Sequence, residues 1–246
     1  MTTKELHIDF DIKIDKIASL NKADFTVAEK DWLLNEAQNV FIRTRYSGNN
    51  SGRTGFETTQ KRIDDLASLV IKYPEQPAIT PVLLDAGVYE INLNDLAFPY
   101  WFFIRGQIEV VLSESCTKLA SLKLIQHDDL NYLLDDPFNN SNKEEIVFNF
   151  GRASDISPSD ITRSSIYIYP GSIEIADARI EYIKKPARIN YGGYVYIDSI
   201  TYPLQECELP DHTHSELVDL AVQIASGIIE SPEYVQLKSQ KLFSNE

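Results

Sequence analysis

The stretch PDHTHSELVDLAVQIASGIIE, residues 210–230, decides the architecture. Leu217, Leu220, Ala221, Ile224 and Ile228 fall on one face at helical spacing, and Val218, Val222, Ala225 and Ile229 fall beside them. A helix apolar over so wide an arc has to be largely buried, and it needs other helices to bury it. The candidates lie at the opposite end of the chain. Thr26 and Glu29 form a capping box ahead of Trp32, Leu33, Ala37, Val40, Phe41 and Thr44, which repeat with helical period. That segment stops at Ser47-Gly48-Asn49-Asn50-Ser51-Gly52, a turn composition. A second helix is predicted from Phe56 to Tyr73, with Thr59, Ile63, Leu66, Leu69 and Val70 inward and Arg62, Asp64 and Asp65 off the stripe. Residues 24–75 and 210–230 are therefore expected to form one helical bundle, the last helix packing back on the first two.

Between them the pattern changes. Pro74, Pro77 and Pro81 prevent the helix from resuming. Short runs rich in β-branched and aromatic residues follow: Val82–Leu84, Gly87–Leu93, Tyr100–Leu112, Leu119–Gln126, Ile146–Phe150, Ser165–Tyr169, Ile173–Lys184 and Tyr194–Tyr202. A short helix, His127–Asp135, interrupts them. Residues 76–209 thus read as an inserted antiparallel β-sandwich or barrel, which makes the fold class α+β. The two ends read as contact arms. In residues 1–23, Leu6, Ile8, Phe10, Ile12 and Ile14 alternate with charges as an added strand would. Residues 231–246 carry Tyr234, Leu237, Leu242 and Phe243 among polar residues, too few for a core. Phe10, Ile12, Tyr234, Leu237, Leu242 and Phe243 are the candidate interaction residues.

Of the 246 residues, 43% are apolar, enough for a real core, and the net charge is −14. Acidic charge spread along the whole chain argues against gripping nucleic acid, whose phosphates call for clustered cations. It suits a surface that DNA passes without sticking. Cys116 and Cys207 are too few for a disulfide scaffold and are expected as free thiols of a protein made in a reducing cytoplasm. The first residues lack the apolar core of a secretion signal, and no stretch approaches the ~20 apolar residues of a membrane helix.

Chemistry-bearing constellations are weak. His212, His214 and Glu216 suggest a metal, but residues two apart on a helix diverge by about 200°. A capping box of Thr213 and Glu216, with Asp211 at the positive helix end, is the better reading. The pairs Asp64-Asp65, Asp128-Asp129 and Asp135-Asp136 point apart on a helix and make no catalytic dyad. His127 reads as a helix-start polar residue, and Lys184, Lys185 and Arg188 as a strand end facing solvent or an acidic partner. The run Phe98-Pro99-Tyr100-Trp101-Phe102-Phe103 fits a strand crossing a core. Exposed aromatics would instead make a glycan-binding module of a virion or cell surface. No enzyme and no cofactor is expected.

A series of segments then carries a resemblance: GFETTQKRIDDL (55–66), LIQHDDL (124–130), LLDDPF (133–138), YIKKP (182–186) and CELPDHTHSELVDLA (207–221). In this order, across roughly residues 24–230, they resemble neck (ring) proteins of crAss-like tailed bacteriophages. The layout also looks like the head-to-tail adaptor of short-tailed phages, a helical bundle with an inserted β-sandwich. The resemblance implies a structural subunit of the virion neck: a homo-oligomeric, dodecameric ring. It would contact the portal protein and other neck or tail rings, with DNA passing through its lumen and no membrane involved.

Overall fold

The computed structural model describes residues 1–17, 25–47, 59–85, 87–113, 116–136, 138, 140–152, 164–195 and 201–228. The chain forms two compact units, Met1–Leu69 with Pro186–Glu246, and Val70–Lys185.

The first unit begins with a helix. Leu6, Phe10 and Ile14, read from their alternation as part of a strand-like arm, lie on α1 (Thr3–Ile17). Its first turn is closed by a capping box: the Thr2 amide donates to the Glu5 carboxylate at 2.8 Å and the Glu5 amide to the Thr2 hydroxyl at 3.3 Å. Leu6, Phe10 and Ile14, four residues apart, are buried together with Leu33, Leu34, Ala37, Leu217, Val218 and Ala221. The alternation contains this i, i+4 series, and burial of that series decides for the helix.

In α2 (Val27–Ser47) the expected Thr26–Glu29 box is present, with bonds of 2.7, 2.8 and 3.4 Å. Leu33, Ala37 and Phe41 are buried as expected, but Trp32 is 47% exposed. The next helix is shorter than its pattern suggested. α3 covers Gln60–Leu66 and tightens into a 3-10 turn at Ala67–Leu69. Val70–Ile71, expected to be helical, is instead strand β1. Residues 56–58 lie outside the described residues. The buried face is also rotated: Arg62 and Asp65 are inside and Ile63 is exposed.

The closing helix α5 (His214–Ile228) buries Leu217, Val218, Ala221, Val222 and Ala225, and it packs on α2 and α1. The cap predicted at its start is absent. A 3-10 turn at Asp211–Thr213 leads in, and the Thr213 hydroxyl donates to the Pro210 carbonyl at 2.8 Å. Glu216 turns away to Arg45 and Lys61.

Burial lowers the His214 imidazole below its ordinary 6.5. The unfolded chain then binds this proton at higher pH than the folded one. The neutral ring costs nothing above 6.5, and the folded state is penalised as pH falls through the lowered value. The stability difference between the native protein and His214→Gln should therefore shrink from about pH 7 to about pH 5. Denaturant titrations at both pH values check this.

The second unit is one sheet. Its strands are β1, β2 (Val82–Asp85), β3 (Val88–Asn92), β4 (Tyr100–Ser113), β5 (Cys116–Leu124), β6 (Glu145–Arg152), β7 (Ser164–Tyr169) and β8 (Ile175–Lys184), with a short helix α4 (Leu130–Asp135) between β5 and β6. Among the described residues they form a single eight-stranded sheet in the order β1-β8-β4-β5-β6-β7-β3-β2. The pairing is antiparallel except between β5 and β6, which run parallel. Of the expected antiparallel sandwich or barrel, the two-sheet sandwich is not what forms: the strands make one sheet, and its β5–β6 pair departs from the expected antiparallel pattern.

The sheet rolls up. Ile79 exchanges both backbone bonds with Ala178 of β8, at 2.8 and 2.7 Å, on the β1 side. Three residues later Val82 opens β2, at the opposite margin. Three residues reach at most about 11 Å, so the two margins lie close together. Curling gives one face a common interior: Ile91, Ile108, Val110, Ala120, Ile146, Phe148, Ile166, Ile168, Ala178, Ile180 and Tyr182 form one buried cluster.

The aromatic run serves this interior in part. Tyr100 and Phe103 pack against the cluster, and Phe103, Phe148 and Phe150 meet with centroids 5.1–5.6 Å apart. Trp101 and Phe102 stack on each other at 4.9 Å, half-buried.

Residues 186–209, expected within the β region, belong to the first unit. Asn35 clips them to α2, donating to the Ile189 carbonyl at 2.8 Å and accepting from its amide at 2.9 Å. Of the strand predicted at Tyr194–Tyr202, the described residues show a single bridge, Val195–Thr201. Among the described residues no helix is long and apolar enough to cross a membrane.

Candidate interaction surfaces

Two buried polar clusters fix the first unit. Asp31, on α2, is 2% exposed. Its carboxylate meets His7 of α1 at 2.8 Å and accepts from the Tyr191 amide at 2.9 Å and the Tyr194 hydroxyl at 2.6 Å. One side chain thus joins α1, α2 and the 186–195 segment. The second cluster centres on Asp65, which is fully buried. It accepts from the Arg45 Nε at 2.8 Å and bonds His212 at 2.9 Å. Arg45 continues to Glu216 at 2.5 Å, and Glu216 to Lys61 at 2.8 Å. A buried carboxylate with a guanidinium and an imidazole on either side is a structural lock between α2, α3 and the start of α5.

These locks hold a surface with several apolar exposures. On α1, Ile8 and Ile12 are 58% and 49% exposed and line an open groove of about 420 Å3 with Met1, Glu5, Asp9 and Ser215. On α2, Trp32 borders a groove of about 240 Å3 with Tyr194, Tyr202 and Pro203. In the second unit, the marginal strand β2 exposes Val82, Leu83 and Leu84 in succession, and Tyr132 and Phe138 are among its most exposed large side chains. Three consecutive exposed apolar residues on a marginal strand are the kind of feature that free proteins cover and assemblies use.

The candidate interaction residues divide. Phe10 is a core residue of its own unit, fully buried, with its ring 5.7 Å from that of Phe25. Ile12 is on the surface. Tyr234, Leu237, Leu242 and Phe243 lie outside the described residues.

The constellations weighed for chemistry are held by ordinary bonds. His212 goes to Asp65, and the His214 Nε2 donates to the Leu209 carbonyl at 2.9 Å. Asp64 accepts from Gln60 at 2.9 Å and Asp136 from the Phe138 amide at 2.9 Å, while His127 meets Asn149 at 3.2 Å. Lys184 sits over the Phe98 ring at 5.6 Å. The Asp31 and Asp65 clusters leave no local signal in the sequence, because their partners lie 20 to 163 residues away.

Each unit thus has its own apolar core, the first is further held by the two polar clusters, and both expose apolar side chains. The chain belongs to the family described as phage tail ring protein 3/4, which it matches over residues 1–233. It is similar to "Ring protein 4/5" of Bacteroides phage crAss001, with 26% identity over 240 residues, covering 92% of this chain and 93% of that protein. The chain is accordingly a structural ring component of a phage.

Proposed function

We propose that this chain is one subunit of a closed homo-oligomeric ring in the neck of a crAss-like phage. The ring joins the portal protein to further neck and tail rings and surrounds the path by which DNA leaves the head. The observation that carries this reading is the family match, which spans nearly the whole chain. Two features are in keeping with it. A ring subunit needs lateral and end contacts built from ordinary packing, and both units carry exposed apolar patches. A passage for DNA has to avoid holding phosphates, and a net charge of −14 supplies repulsion.

A dodecameric ring stacked on a dodecameric portal predicts equal copy numbers of the two proteins. Quantitative mass spectrometry of purified particles should find this chain and the portal in a 1:1 ratio. Its absence from particles, or an excess typical of a capsid decoration, would remove the reading.

The charge leads to a second expectation. Duplex DNA should be retained only weakly, with a Kd above about 1 µM at about 150 mM salt, and more weakly still as salt rises. Filter retention against salt concentration measures it. Sub-micromolar binding at that salt is incompatible with a slippery channel.

A further inference from the structure

Helix α1 is apolar on two opposite faces. Successive helical residues are about 100° apart, which sets Leu6, Phe10 and Ile14 on one side and Ile8 and Ile12 about 180° away. The first face is buried in the unit's own core, and the second is 58% and 49% exposed. An outward helix face ordinarily carries polar residues. Here two isoleucines one turn apart line a groove whose charged side chains are Glu5 and Asp9. Beside it, Asp219 shares Lys13 with Asp9, at 2.9 and 2.7 Å, and the Met1 ammonium meets Asp211 at 2.6 Å, so the carboxylates Glu5, Asp9, Asp211 and Asp219 outnumber the two cations. An occupant has to offer apolar side chains flanked by positive charge.

This chain contains such a segment. Residues 234–245 include Tyr234, Leu237, Leu242 and Phe243 with Lys238 and Lys241, and no Asp or Glu. Eighteen residues follow Ile228, and a chain of that length spans at most about 60 Å.

We propose that the outer face of α1 receives residues 234–243 of a second copy. Leu237, Leu242 and Phe243 cover Ile8 and Ile12, and Lys238 and Lys241 meet Glu5 and Asp9. This rests on the ring reading, in which each copy gives one segment and receives one, a head-to-tail contact that closes around a ring.

The test mixes two full-length variants, Ile8→Cys and Leu242→Cys, both in a Cys116→Ser background. Cys116 is exposed and would compete. Cys207 is pushed up to about 11 by burial and stays protonated and slow to oxidise at neutral pH. At about 100 µM total chain, mild oxidation should yield a disulfide-linked heterodimer. Adding Lys238→Glu and Lys241→Glu to the donor should cut its yield about fivefold, the scale of one or two surface ion pairs. Sedimentation of the same mixture reports association independently. Copies that associate without the heterodimer overturn this contact and leave the ring reading standing. An intrachain link in the Ile8→Cys/Leu242→Cys double variant, with no heterodimer in the mixture, also overturns it, because the segment then docks on its own copy. Neither association nor heterodimer at this concentration counts against both.

Discussion

Replacing Asp65 with alanine should lower the stability of the helical unit by about 3–5 kcal/mol. Asp65 is fully buried, and Arg45, which it holds at 2.8 Å, is only 8% exposed. Removing the carboxylate leaves a guanidinium out of water with its remaining partner Glu216, a half-exposed side chain that also binds Lys61. It also removes the bond to His212 at 2.9 Å, ahead of α5. The cost comes mainly from the charge left unpaired, since burying both ions was itself expensive. Arg45→Met added to Asp65→Ala should therefore recover much of the loss. Denaturant unfolding of the two single variants and the double variant measures this. An additive double variant would mean that Arg45 finds water in place of Asp65.

Phe10→Ala should cost about 3–5 kcal/mol, while Ile12→Ser should cost no more than about 1 kcal/mol. Both residues sit on α1, two positions apart in a stretch of alternating apolar residues. Phe10 is fully buried among Leu6, Ile14, Leu33 and Leu217, so truncation leaves a cavity lined by large side chains. Ile12 is 49% exposed, so its replacement removes only about half of what a buried isoleucine contributes. An N-terminal arm docking as a strand would respond the other way: both changes would be neutral for the free subunit and costly only in the assembly. Thermal unfolding of the two variants distinguishes a core helix from an arm.

The alternation at residues 6–14 shows why part of the fold was readable in the sequence and part was not. Every second residue apolar fits a strand, but it also places apolar residues four apart on both sides of a helix. Thr2 and Glu5, spaced as a capping box, were the local signal that favours the helix. The same signal at Thr26 and Glu29 marks the start of α2. Near α5 the spacing misled: Thr213 and Glu216 match the motif, yet Arg45 and Lys61 offer Glu216 full charges, which outcompete a backbone amide. Asp65 looked like a solvated residue off the apolar stripe. A single sequence does not indicate that a guanidinium 20 residues earlier and an imidazole 147 residues later converge on it.

In the β unit, the positions of β2 to β8 followed from composition, while β1 and the arrangement of the strands did not. Both sandwich and rolled sheet need alternating strands with one apolar face. What rolls this sheet is the pairing of Ile79 with Ala178, a contact between distant residues. The exposed candidates were legible only in part. Ile12 is on the surface, and so is Trp32, although it falls on the apolar period of α2; nothing in the sequence distinguishes Tyr132 and Phe138 from core residues.

Cryo-electron microscopy of assembled particles tests the central claim most directly, by locating this chain along the tail axis. The account predicts density for a closed ring of these subunits around the DNA path, with the portal above and further tail components below. Density for the chain on the capsid exterior or on a peripheral fibre, or none in the complete particle, would contradict it.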